Sequence, residues 1–104
     1  MPIQKSVNRV DLIASIAEAS PLRHTPAGVA AANFVLEHMS EVVEAGVVRQ
    51  VNLTIRAVAF GTLAEQSSRL ALGASLRFTG FLINARTSKS LVLHLQSIDA
   101  VLHQ

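Results

Sequence analysis

Nine Lys or Arg residues, seven Asp or Glu and four His supply most of the reactive chemistry of this 104-residue chain. His24, His38, His94 and His103 show no ligand spacing such as H-x-x-x-H, and no carboxylate stands at a useful offset from them, so neither a metal site nor acid–base work is expected. Cysteine is absent, which excludes thiolate ligands, a cysteine nucleophile and a disulfide framework. The glycines at 28, 46, 61, 73 and 80 are too scattered to cradle phosphates, and no G-x-S-x-G is present. An enzyme is not expected, and no cofactor is called for. What remains is charge. Arg49, Arg86 and Lys89 can hold phosphates, as can Arg23 with His24 beside it, although such residues also simply keep a sheet soluble. The formal charge of +2 permits an anionic partner without demanding one. Glu37, Glu41 and Glu44 read as a solvated hairpin tip, or as a surface for a basic protein.

Aromatic stacking has few candidates, because Trp and Tyr are absent and there are four Phe. Phe34 and Phe78 fall on apolar strand faces and read as core. Phe60, beside Gly61, reads as packed on a helix. Phe81 shares a face with Arg77 and Thr79, where burial competes with a stacking role. His94 lies between Leu93 and Leu95 and faces away from them, towards the surface or an interface.

The elements that must position these groups follow from periodicity. Val10, Leu12, Ala14 and Ile16 alternate with polar positions and predict a first strand ended by Ser20-Pro21. Leu22 to Gly28 has loop chemistry. Val29 to about Ser40 predicts a second strand, despite its alanines, and Glu41–Gly46 a hairpin tip. Val51, Leu53, Ile55, Ala57 and Ala59 form one face of a third strand, opposite Gln50, Asn52, Thr54 and Arg56. Thr62 and Glu65 have capping-box spacing, so a short helix is predicted from about Leu63 to Leu70, closed by Gly73. Ser75–Asn84 predicts a fourth strand with a bulge or bend at Gly80, and Leu91–Val101 a fifth. The fold class predicted is all-β: a five-stranded OB-fold barrel with one short helix between strands three and four, against an open α+β sheet as rival. Residues 1–104 are expected to form one domain.

The longest stretch without Asp, Glu, Lys, Arg or His, Thr25–Leu36, has twelve residues, short of the roughly 20 of a spanning helix, and Lys5, Arg9 and Asp11 interrupt the start. No membrane segment is expected, and a cytoplasmic location is the default. Apolar residues on both faces of Val29–Leu36 and long strand edges point to a homodimer.

Particular residues add a resemblance. Pro21-Leu22-Arg23-His24-Thr25-Pro26-Ala27-Gly28, followed by Asn33-Phe34, resembles the first loop and second strand of the single-stranded-DNA-binding superfamily. Phe34-Val35-Leu36-Glu37-His38, Glu44-Ala45-Gly46, Arg49-Gln50, Gly80-Phe81 and Val92-Leu93-His94 narrow it to the primosomal replication protein N (PriB) family, over about Asn8 to Val101. That resemblance implies a homodimeric OB-fold binding single-stranded DNA in bacterial replication restart, with the PriA helicase, DnaT and SSB as partners. Carried over position by position, it implies DNA contacts at Arg23, His24, Arg49, Asn52, Arg86 and Lys89. Met39 stands where the family often has a basic residue, and Val47 and Asn52 where aromatics are expected. Those departures keep a second reading open: a primosome adaptor that mainly binds proteins and touches DNA weakly.

Overall fold

The computed structural model describes residues 6–101. Strands β1 (Val10–Ala19), β2 (Arg23–His24), β3 (Ala30–Glu44), β4 (Val47–Phe60), β5 (Ser75–Asn84) and β6 (Leu91–Ala100) surround one helix, α1 (Thr62–Ser67). They hydrogen-bond in the order β1-β5-β6-β4-β3-β2, and a β1–β3 pairing closes five of them into a barrel. The predicted OB-fold barrel is therefore the observed one. Two-residue β2 is the addition: it continues along β3 after the Ser20–Leu22 break, pairing Arg23 with Ala31.

Alternation makes the core. Ala14, Ile16, Phe34, Leu36, Ala57, Ala59, Phe78, Leu93 and Leu95 point inward and are buried, as one-sided strands require. Helix α1 inserts Ala64 into this cluster, with Leu63 and Leu70 packed against it, so it covers one barrel end.

Two irregularities let the sheet curve. Between Ile16 and Glu18 the β1–β3 register slips by one, and between Thr79 and Gly80 the β5–β6 register slips by one. The second matches the irregularity predicted at Gly80, although the extra residue, Gln96, belongs to β6.

Three local expectations are corrected. The hairpin tip is not Glu41–Gly46 but Ala45-Gly46 alone, with φ of 50° and 78°, so β3 continues to Glu44. Positive φ at both central residues defines a type I′ turn, whose twist suits a two-residue hairpin. The Thr62–Glu65 capping box does not form: Gly61, at φ 68°, is the N-cap, and no side chain caps the helix. Glycine's freedom lets the chain leave β4 one residue early, which puts Thr62 inside the first turn. The helix ends at Ser67, short of Leu70, and Gly73 lies in a later turn where its N–H donates to Ile16 O at 2.8 Å. Among the described residues no helix is long and apolar enough to cross a membrane.

Candidate nucleic-acid interface

Antiparallel pairing places facing residues of β3 and β4 on the same side of the sheet. On the outer side stand Val35 opposite Arg56, Glu37 opposite Thr54, and Met39 opposite Asn52. Arg56 is exposed and has parallel neighbour Val92 on β6. It lines two open depressions. One, of about 440 Å³, is shared with Glu18, Ser20, Asn33 and Val35; the other, of about 540 Å³, with Thr54, Ser90 and Leu91. A single cation thus lies between the loop after β1 and the connection before β6. In sequence Arg56 is one of four polar positions alternating along its strand, and nothing in that pattern distinguishes it from Gln50, Asn52 and Thr54.

Hydrogen bonds shape both rims. Arg23 Nε and Nη2 donate to Asn33 Oδ1 at 3.1 and 2.9 Å, which fixes the guanidinium across β2 and β3. Its other N–H groups stay available, since guanidinium carries five. Ser20 N–H donates to Asn33 O at 2.9 Å, anchoring the same rim. His24 is exposed beside Arg23, opposite Ala30. On the far rim, Ala85 N–H donates to Ser90 O at 2.8 Å and Asn84 Nδ2 to Lys89 O at 3.0 Å. That turn holds Arg86 and Lys89 exposed, and neither is in an ion pair among the described residues.

Arg49 and Asn52 are placed differently. They have opposite parity on β4, so they project from opposite faces of the β3–β4 hairpin. Asn52 is on the Arg56 side, next to Met39. Arg49 is on the other, with Nε 2.8 Å from Glu44 Oε1. The structure brings the Arg23 and Lys89 rims around Arg56, whereas Arg49 stands apart with its charge compensated.

A row of rings continues from Arg56. Val58 pairs with His94, Phe60 follows two residues on, and Phe81 is opposite His94 on β5. Ring centroids are 5.7 Å apart for Phe60–His94 and 5.1 Å for Phe81–His94. Phe60 is 42% exposed, so its ring meets His94 on the outer face while Phe34 and Phe78 are core as expected. A cation followed by one exposed ring, Phe60, backed by half-buried His94 and Phe81, is what sequence-tolerant single-strand binding can use.

His38, by contrast, is structural: Nδ1 lies 2.6 Å from Ile13 O and Nε2 2.8 Å from Ser40 Oγ, bridging the place where β1 leaves β3. His103 lies outside the described residues. Among the described residues no group of three or more His, Cys, Asp and Glu could hold a metal ion.

Residues 8–97 match a family described as another single-strand binding protein family. Replication restart protein PriB of Bordetella pertussis is 47% identical over 91 residues, covering 86% of this chain and 85% of that protein. The chain belongs to the PriB family. A second PriB, from Nitrosomonas europaea, is 36% identical over 96 residues, 89% of each chain. A solved structure of PriB from Ralstonia solanacearum superposes with a TM-score of 0.84 at 33% identity, covering 92% of this chain and all of that one. At the level of fold alone, the single-stranded DNA binding protein of Thermus aquaticus is also similar, with a TM-score of 0.75. The PriB resemblance drawn from the loop and F-V-L-E-H residues is thereby established, and the single-strand-binding fold with it.

Proposed function

We propose that this PriB-family chain acts as one OB-fold domain that binds single-stranded DNA during replication restart. The strand would cross the outer face of β3 and β4 at Arg56. Arg23 and His24 would meet phosphates from one rim and Arg86 and Lys89 from the other, with Asn52 further along. Arg49 can join only from the opposite face of the hairpin, and at the cost of its bond to Glu44. The observation that carries the reading is Arg56, set between two basic rims at the head of the Phe60–His94–Phe81 row. Phosphate contacts give affinity without sequence readout.

The functional unit we propose is a homodimer. Among the described residues β1 pairs with β3 only from Ser15 onward, so Val10–Ala14 present an open edge, with Ile13 exposed. A two-fold pairing of such edges removes an aggregation hazard. Partners of the kind the family implies, the PriA helicase, DnaT and SSB, would meet this dimer in the cytoplasm. No catalytic step is proposed.

Titrating dye-labelled oligo-dT and a duplex of equal length across a salt series tests this reading. Single strands should win, and about four neutralised phosphates per protomer, at Arg23, Arg56, Arg86 and Lys89, should give a slope of log K against log salt of about −2.8, from about −0.7 each. Equal affinity for duplex, or no salt dependence, overturns it. The adaptor reading, with weak DNA binding, is favoured by one observation: the hairpin's cation, Arg49, is already bonded to Glu44.

A further inference from the structure

Beyond Glu37 on β3 and before Arg56 on β4, the two strands pair only with each other among the described residues. They form a two-stranded arm roughly 23 Å long, at about 3.3 Å per residue. Such a ribbon is marginal alone in water, so its surface matters. On the outer face, Met39, Val43 and Val48 are 79%, 71% and 63% exposed. Val43 faces Val48 directly, and Glu41 faces Gln50 between them and the Met39–Asn52 pair. Glu37 lies on the same face nearer the barrel.

Charge decides what can cover this patch. Beyond Glu37 and before Arg56 there are two glutamates against one arginine, which leaves the arm at −1, or −2 with Glu37 at its base, in a chain of +2. The arginine, Arg49, is on the other face and bonded to Glu44. The arm's outer face therefore carries Glu41 with no cation of its own, while Glu37 stands at its base, next on that face to Arg56. A phosphodiester strand running on past Asn52 meets Glu41 and is repelled there, and so is a second copy laid face to face, which would set glutamate against glutamate.

We propose that the outer face of the β3–β4 arm docks a basic, apolar segment of a partner protein, seated on Met39, Val43 and Val48 with its cations at Glu37 and Glu41. The apolar trio supplies a contact that must exclude water, and the glutamates select the sign of the partner. One sheet surface is thus divided: the Arg56 end suits an anion, and the arm suits a cationic protein.

The experiment uses fluorescence anisotropy of the full-length chain with three probes: a short peptide of alternating lysine and valine, its glutamate–valine counterpart, and oligo-dT. The lysine–valine peptide should bind, the glutamate one should not, and added salt should weaken the complex. Replacing Met39, Val43 and Val48 together by Ser should lower peptide affinity at least about tenfold, a loss typical of a central contact. Glu41→Lys, a single exposed substitution, should do the same, while oligo-dT affinity does not fall in either variant. Absence of lysine–valine binding, or binding indifferent to both variants, overturns the proposal. So does a parallel loss of oligo-dT affinity, which would make the arm a nucleic-acid surface. A shift from dimer to monomer on sedimentation of the serine variant would assign the patch to a second copy and overturn it too.

Discussion

A methyl group added to Gly80 would stand 1.9 Å from the carbonyl oxygen of His94 and 3.1 Å from Leu95 Cα. The obstacle is backbone, not a side chain that could swing away. It sits where the β5–β6 register slips, so the missing Cβ is what lets β6 cross close to β5 as the barrel closes. Gly80→Ala should therefore cost about 3 kcal/mol or more, at the upper end of overpacking effects. Urea unfolding reads this directly, and an unchanged midpoint would refute the assignment.

Stacking and charge on the proposed interface have separable signatures. Phe60→Ala should weaken oligo-dT binding by about 1–3 kcal/mol and leave its salt slope unchanged, because a ring releases no counterions. Arg56→Ala should instead flatten the slope by about 0.7. Titrations at several salt concentrations distinguish the two. A Phe60 variant that alters the slope, or an Arg56 variant that does not, contradicts the roles given to them.

Acid should reveal the Asp11–Arg77 pair. Arg77 Nε donates to Asp11 Oδ1 at 2.8 Å, and this hydrogen bond holds the Asp11 carboxyl below the usual carboxylate range. A folded-state pKa below the unfolded one stabilises at pH above the unfolded value, about 3.9, and that stabilisation is lost as pH falls through the folded value. The stability difference between the native chain and Asp11→Asn should be constant from pH 8 to about 5 and shrink below about 4. Being exposed, the pair should contribute little in absolute terms. Chemical denaturation at each pH measures the difference, which must not widen in acid.

The hairpin tip can be improved. Ala45 holds φ 50°, a conformation that penalises a Cβ unless a short polar side chain offsets it. Ala45→Asn, next to Gly46, gives the dipeptide a type I′ turn prefers. Slower amide exchange at Val42 and Arg49, a hydrogen-bonded pair close to the turn, is expected, equivalent to about 1 kcal/mol. Unchanged or faster exchange would argue against the turn type.

How much of this was legible in the sequence follows from where each signal resides. One-faced alternation located β1, β4, β5 and β6 because each buries a single side over most of its length, Ala57–Ala59 and Phe78–Gly80 apart. At the end of β3, Glu41 and Glu44 looked like a loop, yet a ribbon with both faces in water accepts acids and valines alike, so acidity did not mark the turn. Thr62 and Glu65 spelled a cap, but backbone freedom at Gly61 outranked it. Arg23, Arg86 and Lys89 were legible as cations on loops. The Phe60–His94–Phe81 row was not, since it comes from three strands and depends on a parallel register that periodicity cannot supply. The available signal was parity: Arg56, Val58 and Phe60 alternate along one side of β4.

The parallel seam itself is slight: Arg56–Val58 against Val92–His94, three pairs joining segments 36 residues apart. Hairpin β3–β4 has fourteen pairs across a two-residue turn. Closing a long loop costs more chain entropy than closing a short one, so in kinetic order the hairpin comes early and the seam late. Lesions in the seam should then hasten unfolding more than they slow folding. Arg56 and His94 flank that late junction from its two sides. Ligand affinity consequently becomes a gauge of completion: a chain whose seam is unzipped retains its hairpin yet has nothing assembled with which to hold a strand.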